Sequence, residues 1–196
     1  MKEALIKAIE KNPNFNFYQT IDFKGDVIKK GIRIQDRRNY VDIDDIKDKK
    51  IIDFGASTGA EGIWAISMGA ESVDMIEKET EQCKIIGDFI EEIQETEYKD
   101  RLFLHSHNLL EGIPEKIKDK KFDTAFCYAI LQYIKYKKIW KDLSDVKTIY
   151  LETGSDAHMS EEILSDENFI AKKLCIIEET INDTLYKRAL YKIVKI

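Results

Sequence analysis

Long apolar runs are missing from this sequence. None approaches the ~18 consecutive residues that a membrane-spanning helix requires, so no membrane partner is expected. The N-terminal "MKEALIKAIEKN" has neither the apolar block nor the small-residue cleavage site of a secretory signal. Leu5, Ile6 and Ile9 mark one face of an amphipathic helix instead, and a cytoplasmic protein is expected. Cysteine is sparse: Cys83, Cys127 and Cys175 stand far apart, with no CxxC spacing. Cys127 and Cys175 fall in apolar, strand-like runs, where a reduced thiol packs as a small hydrophobe. No metal site is expected. Repeats, low-complexity segments and domain linkers are missing as well. Basic residues are the minority, 31 Lys and Arg against 37 Asp and Glu, for a net charge of −6. That balance weighs against a broad nucleic-acid surface, which needs clustered positive charge, and DNA is not expected as a partner.

What is present is the composition of a folded chain. At 43% hydrophobic and 35% charged over 196 residues, it holds enough apolar surface for one substantial core. Residues 1 to 11 read as a helix closed before Pro13. "FNFYQTIDF" and "VIKKGIRI" read as short strands around Gly25-Asp26. Strands then follow at 50 to 54, 72 to 76, 101 to 105, 122 to 127 and 147 to 152. Helical patterns at 60 to 69, 78 to 95, 128 to 142 and 159 to 165 separate or follow them. This alternation implies right-handed crossovers onto a largely parallel sheet with helices on both faces. "LCIIEETINDTLYKRALYKIVKI" reads as two strands around Ile181-Asn182-Asp183, an antiparallel hairpin closing one sheet edge.

The chemistry concentrates in "KKIIDFGASTGAEGIWAISMGA", residues 49 to 70, where a strand runs into a turn crowded with Gly and small residues and then into a helix. A P-loop, GxxxxGK(S/T), is excluded because no Lys follows the glycines. The dinucleotide pattern GxGxxG is met only at Gly55, since Ser57 and Ala60 hold its other two places. The pattern D-x-G-x-x-x-G is met in full by Asp53, Gly55 and Gly59.

At these residues, from about 48 to 196, the chain resembles the class I S-adenosylmethionine-dependent methyltransferases. The resemblance implies a three-layer, Rossmann-like α/β fold: a mostly parallel seven-stranded sheet, a C-terminal antiparallel hairpin and an N-terminal extension. It implies S-adenosyl-L-methionine as cofactor, held by the turn (Asp53, Gly55, Ala56, Ser57, Gly59) and by Glu77 with Lys78 at the end of the second strand. Asn108 and Leu109 stand at the adenine-contacting position after the third strand, and Tyr128 ends the fourth. A carboxylate at Glu77 has the acceptor oxygens to grip vicinal ribose hydroxyls, and Asn108 can both donate and accept.

Known acceptor signatures are absent. There is no (D/N/S)-P-P-(Y/F) turn after strand four, no Pro-Cys or Thr-Cys setting at Cys127, and no Lys-Asp-Lys-Glu tetrad of the ribose methyltransferases. "FYQTIDFKGDVIKKG", "KFDTAFCYAILQYIKYKKIWKDL" and "TIYLET" are similar to segments of proteins related to the tRNA wobble-uridine carboxymethyltransferases. That resemblance allows a carboxylated cofactor, although ordinary methyl transfer is the expectation. His107 is the candidate base, since an imidazole can take up and release a proton near neutral pH. Tyr18, Tyr128 and Tyr133 are candidates for the acceptor pocket. The stretch 24 to 38, rich in Lys and Arg, is either a solvated rim or an attractor of anionic substrate, with Arg33, Arg37 and Arg38 as the candidate contacts. Residues 1 to 46 are expected to cap a methyltransferase domain spanning 47 to 196. The acceptor stays open between a small molecule and RNA, and a non-catalytic, cofactor-binding subunit remains the alternative to an enzyme.

Overall fold

The computed structural model describes residues 1–33, 36–130, 146–154, 167–181 and 184–196. Helix α1 (Lys2–Glu10) comes first, burying Ala4, Leu5 and Ala8. A small antiparallel hairpin follows, β1 (Ile21–Phe23) and β2 (Asp26–Lys29), turning through Lys24 and Gly25, both with positive φ. The main sheet begins at β3 (Lys50–Phe54) and continues through α2 (Ala60–Ser67), β4 (Ser72–Glu77), α3 (Thr80–Ile93), β5 (Leu102–Ser106), β6 (Thr124–Tyr128) and β7 (Thr148–Glu152). It ends in the long strands β8 (Phe169–Ile181) and β9 (Thr184–Lys195).

The spatial order is β5-β4-β3-β6-β7-β9-β8. The first five strands in that order are parallel, while β9 runs antiparallel to β7 and to β8. This is the seven-stranded α/β sheet with a terminal hairpin that the sequence predicted. Strand boundaries differ by a residue or two for local reasons. The strand predicted from 122 starts at Thr124 because Asp123 caps the neighbouring strand, accepting from the Lys50 N–H at 3.1 Å, while Phe122 packs in the core. The helix predicted from 128 starts too early, since Tyr128 still belongs to β6. Residues 131–142 of that pattern, and all of 159–165, lie outside the described residues.

Central strands are buried on both faces, which requires continuous apolar runs. In β3, Ile51 faces one core with Leu5, Phe17, Ile63, Phe89 and Phe126, while Ile52 and Phe54 face the other with Ile117, Phe122 and Leu151. Fully burying each such side chain contributes ~1.5–3 kcal/mol. Helix α3 is amphipathic and buries Ile85, Ile86, Phe89 and Ile93, a helical spacing. Helix α2 is buried along its whole length. Its approach to the sheet depends on Gly62, where a Cβ would stand 2.6 Å from Met75 Sδ.

The sheet order positions the site. From β3 the chain passes to β4 on one side, and the later β6 pairs on the other. The carboxyl end of β3 is therefore a topological switch point, where a crevice opens between diverging connections and where open α/β sheets bind ligands.

Candidate functional site

At the end of β3 the chain turns sharply into α2. Gly55 (φ +69) and Gly59 (φ +78) take left-handed conformations that cost glycine little. Ser57 takes the same region at φ +55, as does Ala129 after β6, both at a cost glycine would not incur. A Cβ on Gly55 would lie 2.6 Å from Ile130 Cγ2, so the bare backbone there is a steric requirement.

The turn is fixed from two sides. The N–H groups of Gly55 and Ala56 both donate to the Ile76 carbonyl, at 2.9 and 3.1 Å. The Ser57 N–H donates to Glu77 Oε2 at 2.8 Å. Glu77 Oε1 accepts from the N–H groups of Lys78 (2.8 Å) and Glu79 (3.0 Å). Three backbone donors thus converge on one carboxylate, and the remaining acceptor capacity lies mainly on Oε2. On the opposite flank, Thr58 Oγ1 donates to Gln19 Oε1 at 3.2 Å.

Beside the turn lies a cleft of about 460 Å³, lined by Gly55, Ile76, Glu77, Lys78, Glu79, His107, Asn108, Leu109, Leu110 and Ile130. Asn108 Oδ1 accepts from the Leu110 N–H at 3.1 Å, which fixes the side-chain amide at the rim. The His107 N–H donates to the Glu77 carbonyl at 2.9 Å. Its Nε2 is buried and takes no hydrogen bond among the described residues.

A second chamber of about 260 Å³ shares Gly55 and Ile130 with the cleft. Tyr18, Gln19, Arg33, Arg37, Asp53, Ser57, Glu61, Tyr128, Ala129 and Arg188 complete its wall. A buried ion-pair network runs through that wall. Arg37 donates to Glu152 Oε2 at 2.9 Å and to Glu61 Oε1 at 2.6 Å, and its guanidinium lies 4.2 Å from the Tyr128 ring centroid. Arg33 and Arg188 both donate to Glu152 Oε1, at 2.5 and 3.1 Å. Arg38 binds Glu61 Oε2 at 2.8 Å and also Asp22. Burial on its own would raise the carboxyl pKa values of Glu61 and Glu152, but the arginines outweigh it and hold both below the ordinary value.

Asp53 is treated differently by the same surroundings. Its Oδ2 is buried and takes no hydrogen bond among the described residues. Burial, reinforced by the charges of Glu61 and Glu77, pushes its pKa up to about 8, with Arg37 and Arg38 opposing. The Tyr128 hydroxyl is likewise buried and without a partner among the described residues, and burial raises its pKa.

Gly55, Glu77, Lys78, His107, Asn108 and Leu109, singled out from sequence, line the cleft. Tyr18, Arg33, Arg37, Asp53, Ser57 and Tyr128 line the chamber together with Gly55. Ala56 and Gly59 shape the turn without lining either space. Arg38 stands behind the chamber wall on Glu61. Tyr133 lies outside the described residues. The positive stretch does not present its arginines as free charge: Arg33, Arg37 and Arg38 are neutralised inside the protein by Glu152, Glu61 and Asp22. Sequence reasoning did not single out Gln19, Glu61, Ile130 or Arg188. Glu61 carried a signal, an acidic residue in an otherwise apolar helix, where a charge needs a partner.

Among solved structures, a candidate RNA methyltransferase from Pyrococcus horikoshii superposes with a TM-score of 0.56 and 17% identity, over 79% of this chain and 78% of that one. A precorrin-6y C5,15-methyltransferase from Geobacter metallireducens gives 0.54 and 13%, over 78% and 85%. The fold is that of the class I methyltransferases. A candidate S-adenosylmethionine-dependent methyltransferase from Streptococcus mutans shares it at a TM-score of 0.58 and 10% identity, over 86% of this chain and 52% of that one. No family model and no curated protein sequence matches the chain. In a class I methyltransferase fold the cleft of Glu77 and Asn108 lies at the carboxyl ends of β4 and β5, the side of the sheet on which the glycine turn opens.

Proposed function

We propose that the protein is an S-adenosylmethionine-dependent methyltransferase acting on a small polar acceptor. The observation that carries this reading is the pair of spaces meeting at Gly55 and Ile130, one beside the Glu77 carboxylate and one lined by Asp53 and Tyr128. The residues of the cleft fit the cofactor. Glu77 Oε2 retains acceptor capacity for a ribose hydroxyl, Asn108 suits an adenine edge, and Gly55 has no side chain to obstruct approach. When bound, the cofactor supplies an electrophilic methyl group.

The protein's own contribution is alignment and proton handling. Holding an acceptor atom in line removes much of the entropic barrier to transfer. The chamber offers the Tyr128 hydroxyl, which has no partner among the described residues, to orient an acceptor, and Asp53 Oδ2 to take a proton from it. A base titrating near 8 is well matched to neutral-pH chemistry. His107 serves the cleft side in this reading. A small acceptor is favoured over RNA because the arginine charges are matched internally and the chamber holds only about 260 Å³.

Calorimetric titration with S-adenosylmethionine, its demethylated product, NAD and ATP tests the cofactor. Binding confined to the first two supports the reading, and comparable NAD or ATP affinity overturns it. Incubation with cell extract and methyl-labelled cofactor tests the acceptor. Label in small molecules is expected, label in RNA reverses the acceptor assignment, and binding without transfer points to a non-catalytic subunit.

A further inference from the structure

Strand β8 is the outermost strand of the sheet, so one side of its backbone has no ladder partner among the described residues. A row of unsatisfied N–H and C=O groups on a long edge strand is a template for another strand. The question is what the side chains along that edge would accept.

Pairing with β9 reveals an irregularity. Lys173 lies opposite Tyr191 and Cys175 opposite Leu190, so Leu174 is an extra residue in a β-bulge. Lys173 and Glu178 are an odd number of residues apart and would point to opposite faces of a regular strand. The bulge corrects this. Their partners, Tyr191 and Lys187, are four positions apart on β9, which puts Lys173 and Glu178 on one face. Ile176, opposite Ala189, falls on the same face midway between them. All three side chains are exposed, Ile176 at 48%. Lys173 makes no ion pair among the described residues, and Glu178 reaches Lys187 at 2.8 Å in a solvent-exposed pair.

We propose that β8 pairs antiparallel with β8 of a second copy about a two-fold axis at Ile176, placing Lys173 of each copy against Glu178 of the other. Edge-to-edge antiparallel pairing about a two-fold axis preserves faces, so it is compatible only with residues that share a face and are symmetric about the axis. The order positive, apolar, negative along this face (Lys173, Ile176, Glu178) meets that condition. Ile176 meets its own counterpart in the centre, and the two ion pairs flank it. Opposite charges directly across an antiparallel pair are stabilising and like charges are not. The same patch serves both copies, as a closed two-fold interface requires. Seven strands become a continuous fourteen-stranded sheet. Strand pairing of this extent falls at the small end of specific interfaces, so the dimer is reversible.

Sedimentation velocity on the full chain over a broad concentration series tests this. A concentration-dependent monomer–dimer equilibrium is expected. Lys173→Glu alone and Glu178→Lys alone each set like charges across both flanking pairs, and each should raise the dimer dissociation constant about tenfold or more. Mixing the two variants should restore dimerisation as heterodimers, because both flanking pairs then carry opposite charges. Restoration on mixing also shows that each variant is folded. In an Ile176→Cys variant the two thiols come within disulfide reach, so mild oxidation should give a cross-linked dimer. A wild-type chain that stays monomeric at the highest concentration overturns the proposal. So do charge variants that dimerise as the wild type does, or a dimer in which Ile176→Cys fails to cross-link.

Discussion

The backbone N–H of Ser57 donates to Glu77 Oε2 at 2.8 Å, tying the turn after β3 to the end of β4. A carboxylate expected from its position to hold a ligand therefore also holds the loop that would receive the ligand. Both roles follow from geometry: strand-end carboxylates at a switch point face the crevice and the neighbouring turn at once.

Glu77→Ala should accordingly act twice. Loss of a hydrogen bond to the charged group should weaken cofactor binding by about 1.5–3 kcal/mol. Freeing the Ser57, Lys78 and Glu79 amides should also lower the melting temperature. Glu77→Gln keeps an acceptor oxygen and should recover most of the stability but less of the binding. Titration calorimetry and thermal unfolding read the two effects separately. Unchanged binding in Glu77→Ala removes this residue from the cofactor site.

Asp53 is expected to set an unusual slope of stability against pH. Its folded-state pKa is raised to about 8 from an ordinary 3.8, so the folded protein binds the proton more tightly than the unfolded chain. Stability from this group is therefore greatest at low pH and falls as pH rises from about 4 towards 8. Asp53→Asn, which is neutral throughout, should be more stable than the wild type at pH 8, with the gap closing towards pH 4. Denaturant unfolding at several pH values checks the sign. In the proposed enzyme the same variant should lose transfer activity while still binding cofactor.

Arg37 bridges two carboxylates that are themselves buried. Arg37→Ala should cost about 3–5 kcal/mol, the scale for removing one member of a buried ionic group. Arg37→Lys keeps the charge but not the planar fork that spans Glu61 and Glu152, and should fall between. Glu61 and Glu152 have lowered folded-state pKa values, so the stability they bring is present above their ordinary 4.5 and is lost as pH falls through the folded-state values. The difference between wild type and Arg37→Ala should thus shrink in acid. A difference that holds constant into acid contradicts the ion-pair account.

The sheet was legible because each strand carries its own signal. "KIIDF" sets Ile51 on one face and Ile52 and Phe54 on the other, and is followed at once by Gly55, so strand and turn could be read from ten adjacent residues. The ion-pair network was not legible in the same way. Arg33 and Glu152 are 119 residues apart, and composition cannot distinguish an arginine facing water from one facing a distant carboxylate. Asp53 was visible as part of a motif, whereas its raised pKa depends first on its burial and then on Glu61, which lies on the next helix. Ser57 was visible as a departure from glycine, and it takes the left-handed backbone that glycine would favour there. The bulge at Leu174 has no local signature, since it exists only relative to the register of β9.

The arginine network also bears on how this chain can be rearranged by evolution or by engineering. Arg33, Arg37 and Arg38 come from the segment before β3, and their carboxylates come from α2 and the end of β7. Cutting the chain ahead of β3 would strip Glu61 of both its arginines and leave Glu152 with Arg188 alone, at a cost of up to several kcal/mol for a buried ion left unpaired. The N-terminal segment is therefore not an exchangeable part. It can be transplanted onto another scaffold, or replaced by a different one, only if both acidic residues change with it.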